Sequence, residues 1–229
     1  MKYIDDIKQL NVDLEQVIGV DETGVGDYWT PLVSCAVYLP NKLKQFVASL
    51  GVKDSKKLSD KQILSLAPRL MEFLEYSVYT LTQAGYNKLS KSYNANELKF
   101  FTHASALSTL AKKCKIQATA IIIDKYSTTN SILKYHQKFF IENNWAKLNE
   151  LQLPTLLVNK AEDIHLSVAC ASIIGRYHLL QYMEEQSKNW NFNFLLGASK
   201  NVVAQIHEFT QTYGENSLNS VLKLNFKLK

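Results

Sequence analysis

The chain has 229 residues, 46% of them hydrophobic and 21% charged, a balance that excludes a disordered protein and leaves room for one large domain or two small ones. Its net charge of +5 suits a polyanion partner without demanding one. Cys35, Cys114 and Cys170 lie far apart with no CxxC pair, which argues against a disulfide framework and for free thiols in a reducing compartment. The N-terminus is polar, and no apolar run approaches the ~20 residues of a membrane helix. A cytoplasmic protein with no membrane partner is expected.

Residues 1–16 read as a short polar lead-in, helical if ordered. Val17 to Val20 form a first strand and Leu32 to Leu39 a second, stopped by Pro40, so an early hairpin is expected. Ser59, with Gln62 at the capping-box position, opens a helix running to about Leu74. Glu75 to Leu81 alternates like a strand. Asn94 to Cys114 has helical spacing, with Leu98, Phe101, Ala104, Leu107 and Leu110 largely on one side. Ala118 to Asp124 is apolar on both faces and therefore a central buried strand. Thr155 to Val158 is a further strand, and a long helix is expected from Glu162 or Asp163 to Glu185. Its small-residue run Val168-Ala169-Cys170-Ala171-Ser172 permits close packing on a sheet. A helical pair follows Gly197. Strands alternating with helices after a hairpin give an α/β layer fold with a mixed sheet.

Acids recur at the ends of these elements: Asp21-Glu22 after Val20, Asp124 after Ile123, and Glu162-Asp163 at a helix start. Ligand sites of open α/β sheets lie beyond the carboxyl ends of strands. Carboxylates gathered there repel one another, and a hard divalent cation neutralises them. Two such ions ~3.5–4 Å apart support phosphodiester hydrolysis. Successive strand side chains point to opposite faces, so Glu22 is expected where the strand breaks up. Gly24 and Gly26 fit a strained loop whose backbone can reach a ligand, such as a ribose 2′-OH. Taken singly, each acid also fits a plainer account as a solvated turn, a cap or a helix-start charge. Spacing alone goes no further than a metal-dependent phosphotransferase. The dinucleotide GxGxxG, GxSxG and HExxH motifs and the histidine spacing of zinc sites are all missing. His165 and His178 read as surface or helix-packing residues.

Four blocks carry a more specific signal. Gly19-Val20-Asp21-Glu22-Thr23-Gly24-Val25-Gly26-Asp27, then Lys53-Asp54-Ser55-Lys56-Lys57-Leu58, then Ile121-Ile122-Ile123-Asp124, then Lys160-Ala161-Glu162 with Ser167 to Ile174, resemble in that order the type 2 ribonucleases H. Within that group the chain is more similar to ribonuclease HIII than to ribonuclease HII. The glycine loop lacks the arginine typical of HII, the fourth acid is glutamate, and Tyr93 to Lys99, Gly197-Ala198-Ser199 and Lys223 to Phe226 also look HIII-like.

The resemblance implies an RNase H-like fold, with a central mixed five-stranded sheet flanked by helices. It further implies a Mg²⁺ or Mn²⁺ site, two-metal in mechanism, formed by Asp21, Glu22, Asp124 and Glu162. The substrate would be the RNA strand of an RNA/DNA hybrid, cut by a monomer to leave 5′-phosphate and 3′-hydroxyl ends. Gly24, Val25 and Gly26 would contact the 2′-OH through their backbone. Lys56 and Lys57 would contact phosphate or form a solvated basic loop, and Asn94 and Asn96 would contact substrate or cap a helix. Residues 17–229 are expected to be the catalytic domain, preceded by a sixteen-residue extension in place of the N-terminal substrate-binding domain usual in HIII. Two other functions compete: an HII-like repair enzyme cutting at single ribonucleotides in DNA, and a binding module without catalysis. Four retained acids oppose the last, since negative charge facing phosphates gives a mere binder nothing.

Overall fold

The computed structural model describes residues 2–52, 58–113 and 117–225. In chain order the elements are β1 (Lys2–Ile4), β2 (Gln16–Thr23), β3 (Leu32–Pro40), α1 (Asn41–Ser49), α2 (Asp60–Phe73), β4 (Glu75–Leu81), α3 (Gln83–Leu89), α4 (Ala95–Lys113), β5 (Ala120–Asp124), α5 (Thr129–His136), β6 (Pro154–Val158), α6 (Ala161–Ile164), α7 (Leu166–Trp190), α8 (Lys200–Tyr213) and α9 (Leu218–Val221). A π-helical turn, Gln137–Glu142, continues α5.

The strands form one sheet in the order β1-β6-β5-β2-β3-β4. The first four of these run parallel, whereas β2-β3 and β3-β4 are antiparallel. The sheet is mixed, as expected, but has six strands where five were expected. The sixth is β1, in the stretch read as a helical lead-in: Lys2, Tyr3 and Ile4 pair with Pro154, Thr155 and Leu156. Ile4 is buried among Val17, Ile122 and Leu156, and that burial holds so short a strand in place.

Alternation along the strands builds two cores. On one side Cys35, Val37 and Leu39 of β3 pack on α1, α2 and α7. On the other, Ile18, Val20, Ile121 and Ile123 pack on Phe100, Phe101, Ala104 and Leu107 of α4 and on Ile132 of α5. A third cluster, around Trp29, joins the β2-β3 connection to Phe194, Phe209 and the ends of α7, α8 and α9.

Helix α2 starts as its sequence dictates: the Ser59 side chain accepts the Gln62 N–H, and the Gln62 side chain returns to the Ser59 N–H. The long helix expected from Glu162 or Asp163 is instead two helices, because His165 has extended backbone (φ −148°, ψ 131°). Its ring explains the break. Nε2 reaches the Leu14 carbonyl (3.2 Å) while Nδ1 accepts the Ser167 N–H (3.2 Å), so His165 caps α7. Burial, with Lys44 adding to it, pushes this imidazole down to about 4, which keeps it neutral. His165 is thus an interior capping residue.

The small-residue run brings α7 onto the sheet. At Gly19 a Cβ would lie 2.3 Å from Ser167 C and Val168 N, so only glycine admits the helix at this distance. Cys35 and Cys170 are buried free thiols, as expected; Cys114 lies outside the described residues. Among the described residues no helix is long and apolar enough to cross a membrane.

Candidate active site

Val20 and Ile123 are the last partners of the parallel β2-β5 ladder, so Asp21 and Asp124, one residue further, follow side by side where that pairing stops, at the end of β5 and within β2. Val20 and Ile123 face α4, and strand alternation therefore sends both acids to the α7 face. There the Ser172 hydroxyl of α7 donates to Asp21. Burial pushes the Asp21 carboxyl up to about 7, with the charges of Glu22 and Asp124 adding to the shift and Ser172 and the Glu22 N–H opposing it.

Glu22 does not sit at a strand break. β2 continues through it in regular register, Glu22 opposite Ser34 and Thr23 opposite Val33. Its side chain therefore takes the α4 face, where the carboxylate meets His103 Nε2 (2.8 Å) and Lys99 Nζ (3.3 Å). Burial alone would raise its pKa; His103 and Lys99 outweigh burial and hold it below the ordinary value.

Asp124 accepts the Ala161 N–H (3.1 Å), which fixes the start of α6 against the end of β5. The left-handed residue Lys160 (φ 55°) makes the turn that permits this. Half-buried Glu162 follows directly in the same first turn. Among the described residues no three His, Cys, Asp or Glu side chains are arranged to enclose an ion. Asp21 and Asp124 share a face, Glu162 rides on the helix bonded to Asp124, and Glu22 is drawn towards α4. The donor set still suits a hard divalent cation, since it consists of oxygens and includes a buried carboxylate whose neighbours already resist its ionisation.

The glycine loop leaves β2 immediately beyond these acids. Gly24 has φ +80°, and a Cβ there would lie 2.1 Å from the Pro31 carbonyl oxygen. Its own carbonyl points inward, accepting from the Lys223 ammonium and from Thr30 Oγ1 (3.3 Å). Val25 is exposed, and nothing lies within 4 Å of where a Gly26 Cβ would be. The late glycine, Gly197 (φ +94°), accepts the Tyr28 N–H and so lies against the same loop.

The sequence model described as Ribonuclease HII matches residues 18–229. The chain belongs to the ribonuclease HII family, the type 2 ribonucleases H. Ribonuclease HIII of Phytoplasma mali is 34% identical over 212 residues, covering 92% of this chain and 70% of the relative. Ribonuclease HIII of Listeria monocytogenes serotype 4b is 32% identical over 94% of the chain and 68% of the relative. The crystal structure of Bst-RNase HIII in complex with Mn²⁺ superimposes with a TM-score of 0.85 at 32% identity, over 95% of this chain and 69% of that one. This ribonuclease H is accordingly a phosphodiester hydrolase, as its motifs imply.

The remaining sequence expectations fall unevenly on the ribonuclease H structure. Asn94 caps α4: its Oδ1 accepts the Asn96 and Glu97 N–H groups (3.0 Å each), and Glu97 accepts the Asn94 N–H (2.8 Å). Asn96 lies in the first turn of that helix. Lys56 and Lys57 lie outside the described residues. Sequence reasoning missed His103 and Thr30, and gave no role to Lys99, Ser172 and Lys223, which it met only as members of family-like blocks. Lys99 and His103 are four apart and so share a helix face, a weak signal that gains meaning only once α4 is known to cover β2.

Proposed function

We propose that this ribonuclease H is an endonuclease that hydrolyses the RNA strand of RNA/DNA hybrids with Mg²⁺ or Mn²⁺. In this reading residues 17–229 are the catalytic unit, and Asp21, Glu22, Asp124 and Glu162 hold the metal. The observation that carries it is the buried Asp21 beside Asp124 where the pairing of two parallel strands stops, its carboxyl pushed up to about 7 by burial and neighbouring acids. Fold stability alone gives no reason to gather like charges there. The ribonuclease HIII names of its relatives support the same substrate.

When bound, two divalent ions would activate a water and stabilise the leaving oxygen. The chain's own residues prepare for this. Ser172 and the Glu22 N–H donate to Asp21 and favour its ionised form, the form that ligates. His103 and Lys99 keep Glu22 ionised. The Gly24-Val25-Gly26 backbone lies one turn beyond the acids, where side-chain-free atoms can approach a ribose and read the 2′-OH that separates RNA from DNA. Attack of water on phosphorus with departure of the 3′ oxygen leaves 5′-phosphate and 3′-hydroxyl ends.

The test uses two labelled duplexes, a long RNA/DNA hybrid and a DNA duplex holding one ribonucleotide, each with Mg²⁺ and with Mn²⁺. Hybrid cleavage that Asp124→Asn abolishes, with an unchanged circular dichroism spectrum, is expected. Full activity of that variant overturns the metal assignment. Efficient cutting at the single ribonucleotide assigns the enzyme to HII-like repair instead.

A further inference from the structure

Among the described residues, Lys223 is the lysine most deeply buried. It is 1% exposed, in a class of side chain almost never buried unless paired. Its Nζ donates to the Gly24 carbonyl and lies 5.7 Å from the centre of the Tyr86 ring. Its N–H donates to the Tyr28 carbonyl (3.0 Å), so backbone and side chain grip the two ends of one loop. Asn87 of α3 holds the segment from outside, its Nδ2 donating to Leu222 O (2.8 Å) and its Oδ1 accepting the Leu224 N–H (2.8 Å).

Burying an ammonium opposes folding, and here burial pushes the amine down to about 8, with Asp27 pulling the other way. A methionine would occupy similar space without that cost. What the charge adds is a fixed direction for one peptide. In a planar trans peptide the C=O and the following N–H point opposite ways. Lys223 and Thr30 draw the Gly24 carbonyl into the interior, so the Val25 N–H faces the exposed side of the loop.

We propose that Lys223 is a positioning residue for ribose recognition: from inside the protein it locks the Gly24-Val25 peptide so that the loop presents its N–H groups to the substrate 2′-OH. This inference rests on the hybrid-nuclease reading above. Lys223 is bonded to this loop at the Gly24 and Tyr28 carbonyls, and its effect on ribose recognition passes through the loop.

The experiment compares wild type, Lys223→Met and Thr30→Val, the last removing a hydroxyl that lies 3.3 Å from both the Gly24 carbonyl and Asp27 Oδ2. Each is assayed well below its melting temperature on a hybrid whose strand carries 2′-OH and on one carrying 2′-fluoro. Mn²⁺ affinity is measured by calorimetry. Misplacing a recognition group by about 1 Å can cost ~100-fold, so cleavage of the 2′-OH strand is expected to fall about ten- to a hundredfold while Mn²⁺ affinity holds. The 2′-fluoro rate should move little, compressing the ratio of the two rates. A merely structural lysine would lower the melting temperature and leave that ratio unchanged, which overturns the proposal. If Lys223→Met does not fold, Thr30→Val decides: an unchanged ratio again overturns it. Wild type that cleaves neither hybrid overturns the nuclease reading and this proposal together; wild type that cleaves, with both variants keeping its ratio, overturns this proposal alone.

Discussion

Replacing Asp21 by asparagine should destroy the enzyme and strengthen the protein. The carboxyl rises from an ordinary 3.8 to about 7 in the folded state. At about 1.4 kcal/mol per pH unit, ionising it in place costs folding roughly 4 kcal/mol. Because the folded value lies above the unfolded one, the favourable contribution is whole below about pH 4 and is lost as pH rises through 7. Asparagine keeps the shape, and its amide oxygen can still accept from Ser172, but it carries no charge. In EDTA, urea unfolding should therefore show Asp21→Asn more stable than wild type at pH 8, by an amount that shrinks towards pH 5. For a chain of this size, a few kcal/mol corresponds to a melting shift on the order of 10 °C. Adding Mn²⁺ should narrow the gap by stabilising wild type alone. A variant less stable than wild type at pH 8, or a gap that does not change with pH, would refute the claim that this carboxylate is buried at a cost to the fold.

Metal affinity should carry the same titration: since Asp21 must lose a proton to ligate, Mn²⁺ binding measured calorimetrically should weaken up to about tenfold per unit as pH falls below 7. Flat affinity from pH 5.5 to 8 would remove Asp21 from the ligand set. Gly19→Ala places a methyl 2.3 Å from the α7 backbone and should cost about 1–3 kcal/mol or more in urea unfolding; a neutral outcome would mean that α7 is free to shift outward. Asn94→Ala removes the cap of α4 and should cost about 1 kcal/mol of stability with KM for hybrid unchanged. A raised KM at unchanged stability would instead make Asn94 a substrate contact.

Much of the fold was legible because its signals are local. Ile121-Ile122-Ile123 can only be a buried strand, and Ser59 with Gln62 closes its capping box as written. The failures involve partners distant in sequence. β1 is three residues of unremarkable composition that pair only because β6 offers an edge, and no window of sequence contains both. His165 breaks an otherwise continuous helical pattern because its ring finds Leu14, 151 positions away. At the site, the acids stood out by their position after apolar runs. Their division between two faces followed from alternation, yet the expectation of a strand break at Glu22 misjudged how far β3 carries the pairing. His103 could not be singled out, and the Lys223 block gave no hint of an interior ammonium, since burial of a polar side chain is a property of the assembled layers and leaves no local mark.

The three-residue strand β1 has a role out of proportion to its length. β6 is buried at Thr155, Leu156 and Leu157, and without β1 its outer row of N–H and C=O groups would be open to pairing with any passing strand. β1 occupies that row and is itself too short to serve as a template for another chain. A chain trimmed to the start of its recognisable motifs, near Val17, would keep every acid and the glycine loop. It would also bare an unpaired strand edge through which copies could stack, so its behaviour in solution would change before its chemistry did.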